Sequence, residues 1–274
     1  MKKLFSILTL VAVFLTIGAE EAHAWFGWGK KKDVDNKIIK VGATPVPHSE
    51  ILEIIKQDVE AKGYKLEIVE FTDYVTPNLA LNDNEIDANF FQHKPYMDRF
   101  AKDRRLELVS AGNIHVEPFG LYSEKYKNIN DLPNGAVIAI PNDPSNGGRA
   151  LLLMEAKGFI KLDKNAGLHA TEFDIIDNPK KFKFNSLEAA QLPRVLKDVD
   201  AALINGNFAM EAGLNPVKDA LIIEGADSPY ANIVTVLKGN ENTEKTKILM
   251  ELLQSEKVAD FINKKYNGGV IPAF

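Results

Sequence analysis

The segment 87–98, DANFFQHKPYMD, places Phe90, Phe91, His93 and Tyr96 within seven residues. Aromatic walls with one imidazole suit a neutral, polarisable group such as a thioether, which gains from sulfur–ring contact. The same residues would also make a core aromatic cluster around one hydrogen-bonded histidine, and the segment alone leaves both readings open. A second constellation lies at 140–149, IPNDPSNGGR. Asp143 or Ser145 can cap a helix that Pro144 helps to start, leaving free backbone N–H groups at the carboxyl end of a strand. Such a terminus favours an anion. Arg149, close behind it, can grip a carboxylate through two parallel hydrogen bonds, or it can be a surface arginine on an amphipathic helix. The segment has neither the G-x-x-x-x-G-K-[ST] of a phosphate loop nor the G-x-G-x-x-G of a dinucleotide site.

Two further segments carry amides at strand ends. Leu203-Ile204-Asn205-Gly206-Asn207 closes a buried run, and Ser228-Pro229-Tyr230-Ala231-Asn232 opens another. Amides both donate and accept, so Asn205, Asn207 and Asn232 suit a zwitterion that presents an ammonium beside a carboxylate, although Asn205 would serve equally as a turn residue. No G-x-S-x-G elbow and no H-E-x-x-H occurs, so catalysis is not expected. The histidines are not spaced as local metal ligands, and a metal site would have to be assembled from distant positions.

The elements that must position these residues alternate. Strands are expected at 37–44, 66–71, 88–91, 106–111, 136–141, 173–176, 200–204, 221–223 and 231–237. Helical spacing follows Ser49, a candidate N-cap, with Ile51, Ile54, Ile55 and Val59 on one face and Gly63 as the stop. Further helices are expected after Pro77 and at 95–104, 145–157, 187–197, 244–254 and 257–266. Such βαβ alternation predicts an α/β protein with mainly parallel sheets, and ligands in these architectures sit beyond strand carboxyl ends or between domains.

Composition narrows the class. The chain has 274 residues, with 33 Lys plus Arg against 38 Asp plus Glu, a formal charge of −5 that offers no basis for general nucleic-acid binding. It contains no cysteine, which excludes disulfides, thiolate chemistry and thioether-linked lipid. Lys2 and Lys3, an apolar run from Leu4 to Gly18 and the Ala22-His23-Ala24 site read as a secretory signal peptide over 1–24. Residues 25–36, WFGWGKKKDVDN, read as a flexible N-terminal segment.

The stretches FTDYVTPNLAL, DANFFQHKPYMD, PNDPSN with GR following, LEAAQLPR, the ING-N-F-A-EAGL run and SPYANIV closely resemble the NlpA family, in the same order, from about Lys37 to Asn267. Members are substrate-binding proteins of bacterial methionine ABC importers. The resemblance implies a two-lobed, periplasmic-binding-protein-like (type II) fold that closes on one amino acid in the interlobe cleft. Lobe one would comprise 37–120 plus 231–274, and lobe two 121–230. Tyr74, Phe91, His93 and Tyr96 would surround the methionine side chain, with Phe90 left out of the site. Arg149 would bind the ligand carboxylate with Asn146 nearby, while Asn205, Asn207 and Asn232 would hold the ammonium and carboxylate groups. The implied ligand is L-methionine, the implied partners are the importer's membrane subunits, and a monomer without cofactor, metal or catalytic activity is expected. One departure matters: family members carry a lipid-bearing cysteine at the cleavage site, and this chain does not. A freely diffusing periplasmic protein of a Gram-negative cell is therefore expected. Two alternatives stay open: the same fold holding another apolar amino acid or a methionine-containing dipeptide, and a surface adhesin.

Overall fold

In a computed structural model of the chain, residues 37–225 and 228–274 are described. The expected signal peptide and the segment 25–36 lie outside the described residues. β-Branched and aromatic residues make the first strands: Ile38–Ala43 (β1), Lys65–Glu70 (β2), Ala88–His93 (β3, with Phe90 and Phe91) and Leu108–Val116 (β4). Later in the chain come Gly120–Tyr122 (β5), Val137–Pro141 (β6), Lys161–Leu162 (β7), Ile175–Asp177 (β8), Lys183–Leu187 (β9), Ala201–Ile204 (β10) and Ile222–Ile223 (β11). Ala231–Leu237 (β12) and Ile271–Pro272 (β13) complete the set. They form a six-stranded sheet in the order β13-β4-β12-β3-β1-β2 and a five-stranded sheet in the order β11-β5-β10-β6-β9, with β7 and β8 as a separate pair. The fold is α/β and two-lobed. The chain passes from the first sheet to the second at residues 117–119 and returns after Ile223.

The sheets are mixed, which corrects the expectation of mainly parallel pairing. β1 pairs in parallel with β2 and β3, and β6 with β9 and β10. β12 runs antiparallel to both β3 and β4, and β5 antiparallel to both β10 and β11. β5 and β12, the first strand after each crossing, run against the parallel set of the sheet they enter, whereas β4 and β11, the last strand before each crossing, run with it.

Each sheet is covered by helices whose apolar faces it buries. Glu50–Ala61 (α1) buries Ile51, Leu52, Ile55 and Val59 against the first sheet, together with Leu249 and Leu253 of Glu244–Leu253 and Val258 and Ile262 of Glu256–Tyr266. Gly63, at φ +80, ends the α1 region as expected, since a left-handed residue suits glycine. Ser49 is not the cap: its backbone is already helical and its hydroxyl makes no cap bond. Thr76–Asn82 (α2) and Lys94–Arg104 (α3) flank β3. In the second lobe, Pro144–Ala156 (α4) packs Leu151 and Met154 onto Ile138, Ile140 and Leu203.

No helix forms over 187–197. Leu187 belongs to β9, where it pairs with Pro141 of β6. Beyond it Ala189–Gln191 is a single 3-10 turn followed by turns, and Pro193 has no N–H to continue a helical ladder. The apolar spacing is still used, because Leu192 and Leu196 are buried beside Ile204 and Phe208.

Candidate functional site

Chain features on both lobes converge on one cavity between the two sheets. The first lobe supplies Tyr74 from the loop after β2, Phe91 and His93 from the end of β3, Tyr96 from the first turn of α3, and Asn232 from β12. The second supplies Asn146 and Arg149 from the start of α4, and Asn205 and Asn207 from the N-terminus of the short helix Gly206–Glu211 that follows β10. All nine residues singled out in the sequence therefore line the same space. Gln92, Gly206 and Glu117 line it as well and were missed. Phe90 faces the other way, fully buried in the core of the first lobe.

The apolar end is an aromatic wall. The Tyr74 ring lies 5.8 Å from Phe91 and 5.7 Å from Tyr96, and Phe208 closes on its other side at 4.8 Å. Such offset and edge contacts hold the rings as a preformed surface. Tyr96 Oη donates to the Tyr74 carbonyl at 2.9 Å, so the wall is also hydrogen-bonded. Burial pushes both phenols upward, which leaves them neutral.

His93 does not aim a free nitrogen at a ligand. Nδ1 accepts from the Tyr96 backbone N–H at 3.2 Å, so Nε2 carries the hydrogen and donates to Asn146 Oδ1 at 3.0 Å. That bond crosses from one lobe to the other. Burial first, and then the charge of Arg149, lower the His93 pKa to about 3, so the imidazole is neutral. A second bond across the cleft runs from Tyr74 Oη to Asn207 Oδ1 at 2.5 Å.

The polar end begins at α4. Asp143 caps this helix, its carboxylate accepting from the Asn146 backbone N–H at 2.8 Å and from Asn146 Nδ2 at 2.9 Å. Asn146 Oδ1 then accepts from His93 and from Asn205 Nδ2, the latter at 2.9 Å. Two buried amide atoms remain without a partner in the protein: Asn205 Oδ1, an acceptor, and Asn207 Nδ2, a donor. Buried polar atoms are almost always satisfied, so one orphaned acceptor and one orphaned donor in a single cavity point to a polar occupant.

Glu117 lies just past the end of β4 and supplies the carboxylate among the cavity's lining residues. His115 Nε2 donates to its Oε1 at 2.8 Å, and His48 Nε2 lies 3.3 Å from the same oxygen. His48 Nε2 also donates to Asn232 Oδ1 at 3.2 Å, while its Nδ1 accepts from Thr44 Oγ1 at 2.7 Å. Burial lowers the pKa of His48 to about 4 and of His115 to about 3, and it raises that of Glu117. Donor atoms of His48, His115 and Glu117 lie within 4.8 Å of one another, a spacing a metal ion could use. Both Nε2 atoms are instead occupied as hydrogen-bond donors, that of His115 to the Glu117 carboxylate and that of His48 to Asn232 Oδ1, so neutral His115 holds Glu117 while His48 packs beside it. No local signal in the sequence marks this residue. Gly206 is the indirect one: a Cβ there would come within 2.8 Å of the Glu117 Cβ.

A chamber with one cation, one carboxylate, several amides and an aromatic wall fits a small zwitterion with an apolar, polarisable side chain. Comparison with known proteins gives the same direction. The sequence model of the NlpA lipoprotein family matches residues 39–274. The D-methionine-binding lipoprotein MetQ of Salmonella typhimurium is 42% identical over 270 residues, 97% of this chain and 98% of that protein. The membrane lipoprotein TpN32 of Treponema pallidum is 44% identical over 241 residues, 88% of this chain and 90% of that protein. A solved nutrient-binding protein of Burkholderia cenocepacia, described as bound to methionine, superposes with a TM-score of 0.84 at 47% identity, over 86% of this chain and all of that one.

Proposed function

We propose, because the chain belongs to the NlpA lipoprotein family, that it is an extracytoplasmic receptor which captures methionine between its lobes and delivers it to an ABC importer. The observation that carries this reading is the cavity itself, with Arg149, Glu117 and two orphaned amide atoms at one end and the Tyr74–Phe91–Tyr96 wall at the other. Arg149 takes the ligand carboxylate. Glu117 and Asn205 Oδ1 face the ammonium, and Asn207 Nδ2 donates to the carboxylate. The thioether lies against the aromatic rings. The lobe bounds 37–120 plus 231–274 and 121–230 belong to this proposal.

Capture works by population shift. A ligand that touches both lobes stabilises the arrangement in which His93 meets Asn146 and Tyr74 meets Asn207. No bond in the ligand is made or broken, which fits relatives named as binding proteins. Export follows from the N-terminal segment, and the cysteine that a thioether-linked lipid requires is absent from the 274 residues.

The test is calorimetric titration of the chain after unfolding and refolding to strip bound ligand. The panel holds L-methionine, D-methionine, other apolar amino acids and glycyl-methionine, and it decides the enantiomer as well as the class. Tight 1:1 binding of methionine is expected, abolished by Arg149→Ala, which leaves a ligand charge buried and unpaired. Failure of correctly refolded protein to bind any member would overturn the reading.

A further inference from the structure

The arginine at the polar end is already half occupied, and its partner lies outside the cavity. Arg149 Nε donates to Glu224 Oε1 at 2.8 Å and Nη2 donates to Glu224 Oε2 at 2.5 Å, a two-pronged pair along one edge of the guanidinium. Nη2 also donates to the Glu117 carbonyl at 3.0 Å. Among the described residues no hydrogen bond engages Nη1. The faces of the guanidinium are covered too, with its central carbon 5.0 Å from the Phe119 ring centroid and 4.4 Å from that of Tyr230.

These partners come from the two places where the chain crosses between lobes. Glu117 and Phe119 sit on the first crossing, Glu224 and Tyr230 on the second. Glu224 joins the two directly. Its backbone N–H donates to the Phe119 carbonyl at 2.9 Å, and its carboxylate accepts from the Phe119 N–H at 3.2 Å. Both sides of the ion pair are largely buried, at 3% exposure for the Arg149 side chain and 12% for that of Glu224.

We propose that Glu224 is a positioning residue for ligand capture: it clamps the Nε–Nη2 edge of Arg149 so that the ligand carboxylate is met by Nη1. This rests on the receptor reading above and deepens it. Glu224 is not a competitor for the ligand's place, because it does not line the cavity and uses the edge of the guanidinium remote from Nη1. Because the clamp is fastened to both crossings, the grip on the carboxylate depends on how the crossings lie, and ligand capture is tied to the path by which the lobes move.

The experiment compares L-methionine affinity, by calorimetry, for wild type, Glu224→Gln, Arg149→Lys and the double variant, with the unfolding temperature of each ligand-free protein. Glu224→Gln keeps the shape and one acceptor oxygen, and it is expected to weaken binding about 10–100-fold while the ligand-free unfolding temperature stays within a few degrees. Lysine has no second prong to align, so on the Arg149→Lys background the same change is expected to cost less than about threefold. Three results with a binding wild type would overturn the inference alone. Affinity of Glu224→Gln within threefold of wild type is one, an equal loss on both backgrounds is the second, and tighter binding, which would make Glu224 a competitor, is the third. A wild type that binds no methionine would overturn the receptor reading and this inference with it.

Discussion

His93, His48 and His115 are all held neutral, and at the scale of single residues this fixes how the protein answers acid. His93 titrates at about 3 instead of 6.5 because burial, and then Arg149, disfavour the imidazolium. An unfolded chain takes up that proton below pH 6.5, whereas the folded one resists until about 3. The stability present above pH 6.5 is therefore lost progressively as the pH falls through that window. At pH 5 the loss from His93 is about 2 kcal/mol. His48, at about 4, and His115, at about 3, act in the same direction. Glu117 opposes them, since its raised pKa means the folded form holds its proton more tightly than the unfolded one. We expect the calorimetric unfolding temperature of ligand-free protein to drop by several degrees between about pH 7.5 and pH 5. An unchanged temperature over that range would show that the histidines are not buried neutral.

At the scale of elements, the start of α4 is the most constrained piece of the site. Asn146 and Arg149 project from it, and two glycines sit between them. A Cβ on Gly148 would stand 2.4 Å from the Leu168 carbonyl oxygen and 2.9 Å from the Ala170 nitrogen. Both are backbone atoms, which cannot swing away as a flexible side chain would. Gly148→Ala should therefore force α4 off the 167–170 turn and destabilise the fold by about 1–3 kcal/mol, read as a lowered urea midpoint. It should also weaken methionine binding, because Arg149 moves with the helix. Full retention of both properties would mean that the 167–170 turn yields easily and does not set the position of α4.

On the scale of the whole molecule, the lobes are latched at both sides of the cavity, by His93–Asn146 and by Tyr74–Asn207. Tyr74→Phe keeps the aromatic wall and removes one latch, leaving Asn207 Oδ1 without its donor. The cost of about 0.5–1.5 kcal/mol translates into affinity weaker by about two- to tenfold. Most of it should appear as faster release, since the latch forms only after the lobes have met; stopped-flow measurement of the ligand off-rate checks this. An unchanged off-rate would place the latch outside the closing equilibrium.

Much of this was legible in the linear chain because it depends on local chemistry. Pro144 and Asp143 start α4, β-branched runs make β1 and β6, and the Phe91-His93-Tyr96 cluster spans a strand end and one helical turn. Motif order adds the family resemblance and its site residues. What the linear chain did not reveal is whatever depends on contacts between distant segments. The direction of β5 and β12 follows from the chain's two crossings, and no residue type encodes it. The helical spacing at 187–197 is real as a burial pattern, yet sheet pairing at Leu187 and Pro193 resolve it into turns. Glu117 and Glu224 sit in unremarkable local sequence. They acquire roles only because folding brings two histidines onto one and Arg149 onto the other, and burial in a low-dielectric interior makes such pairings matter. Residue types and short-range spacing thus determined which groups could hold a zwitterion with a polarisable side chain. The tertiary structure alone decided which charges face each other, which are already spoken for, and through which segments the lobes are joined.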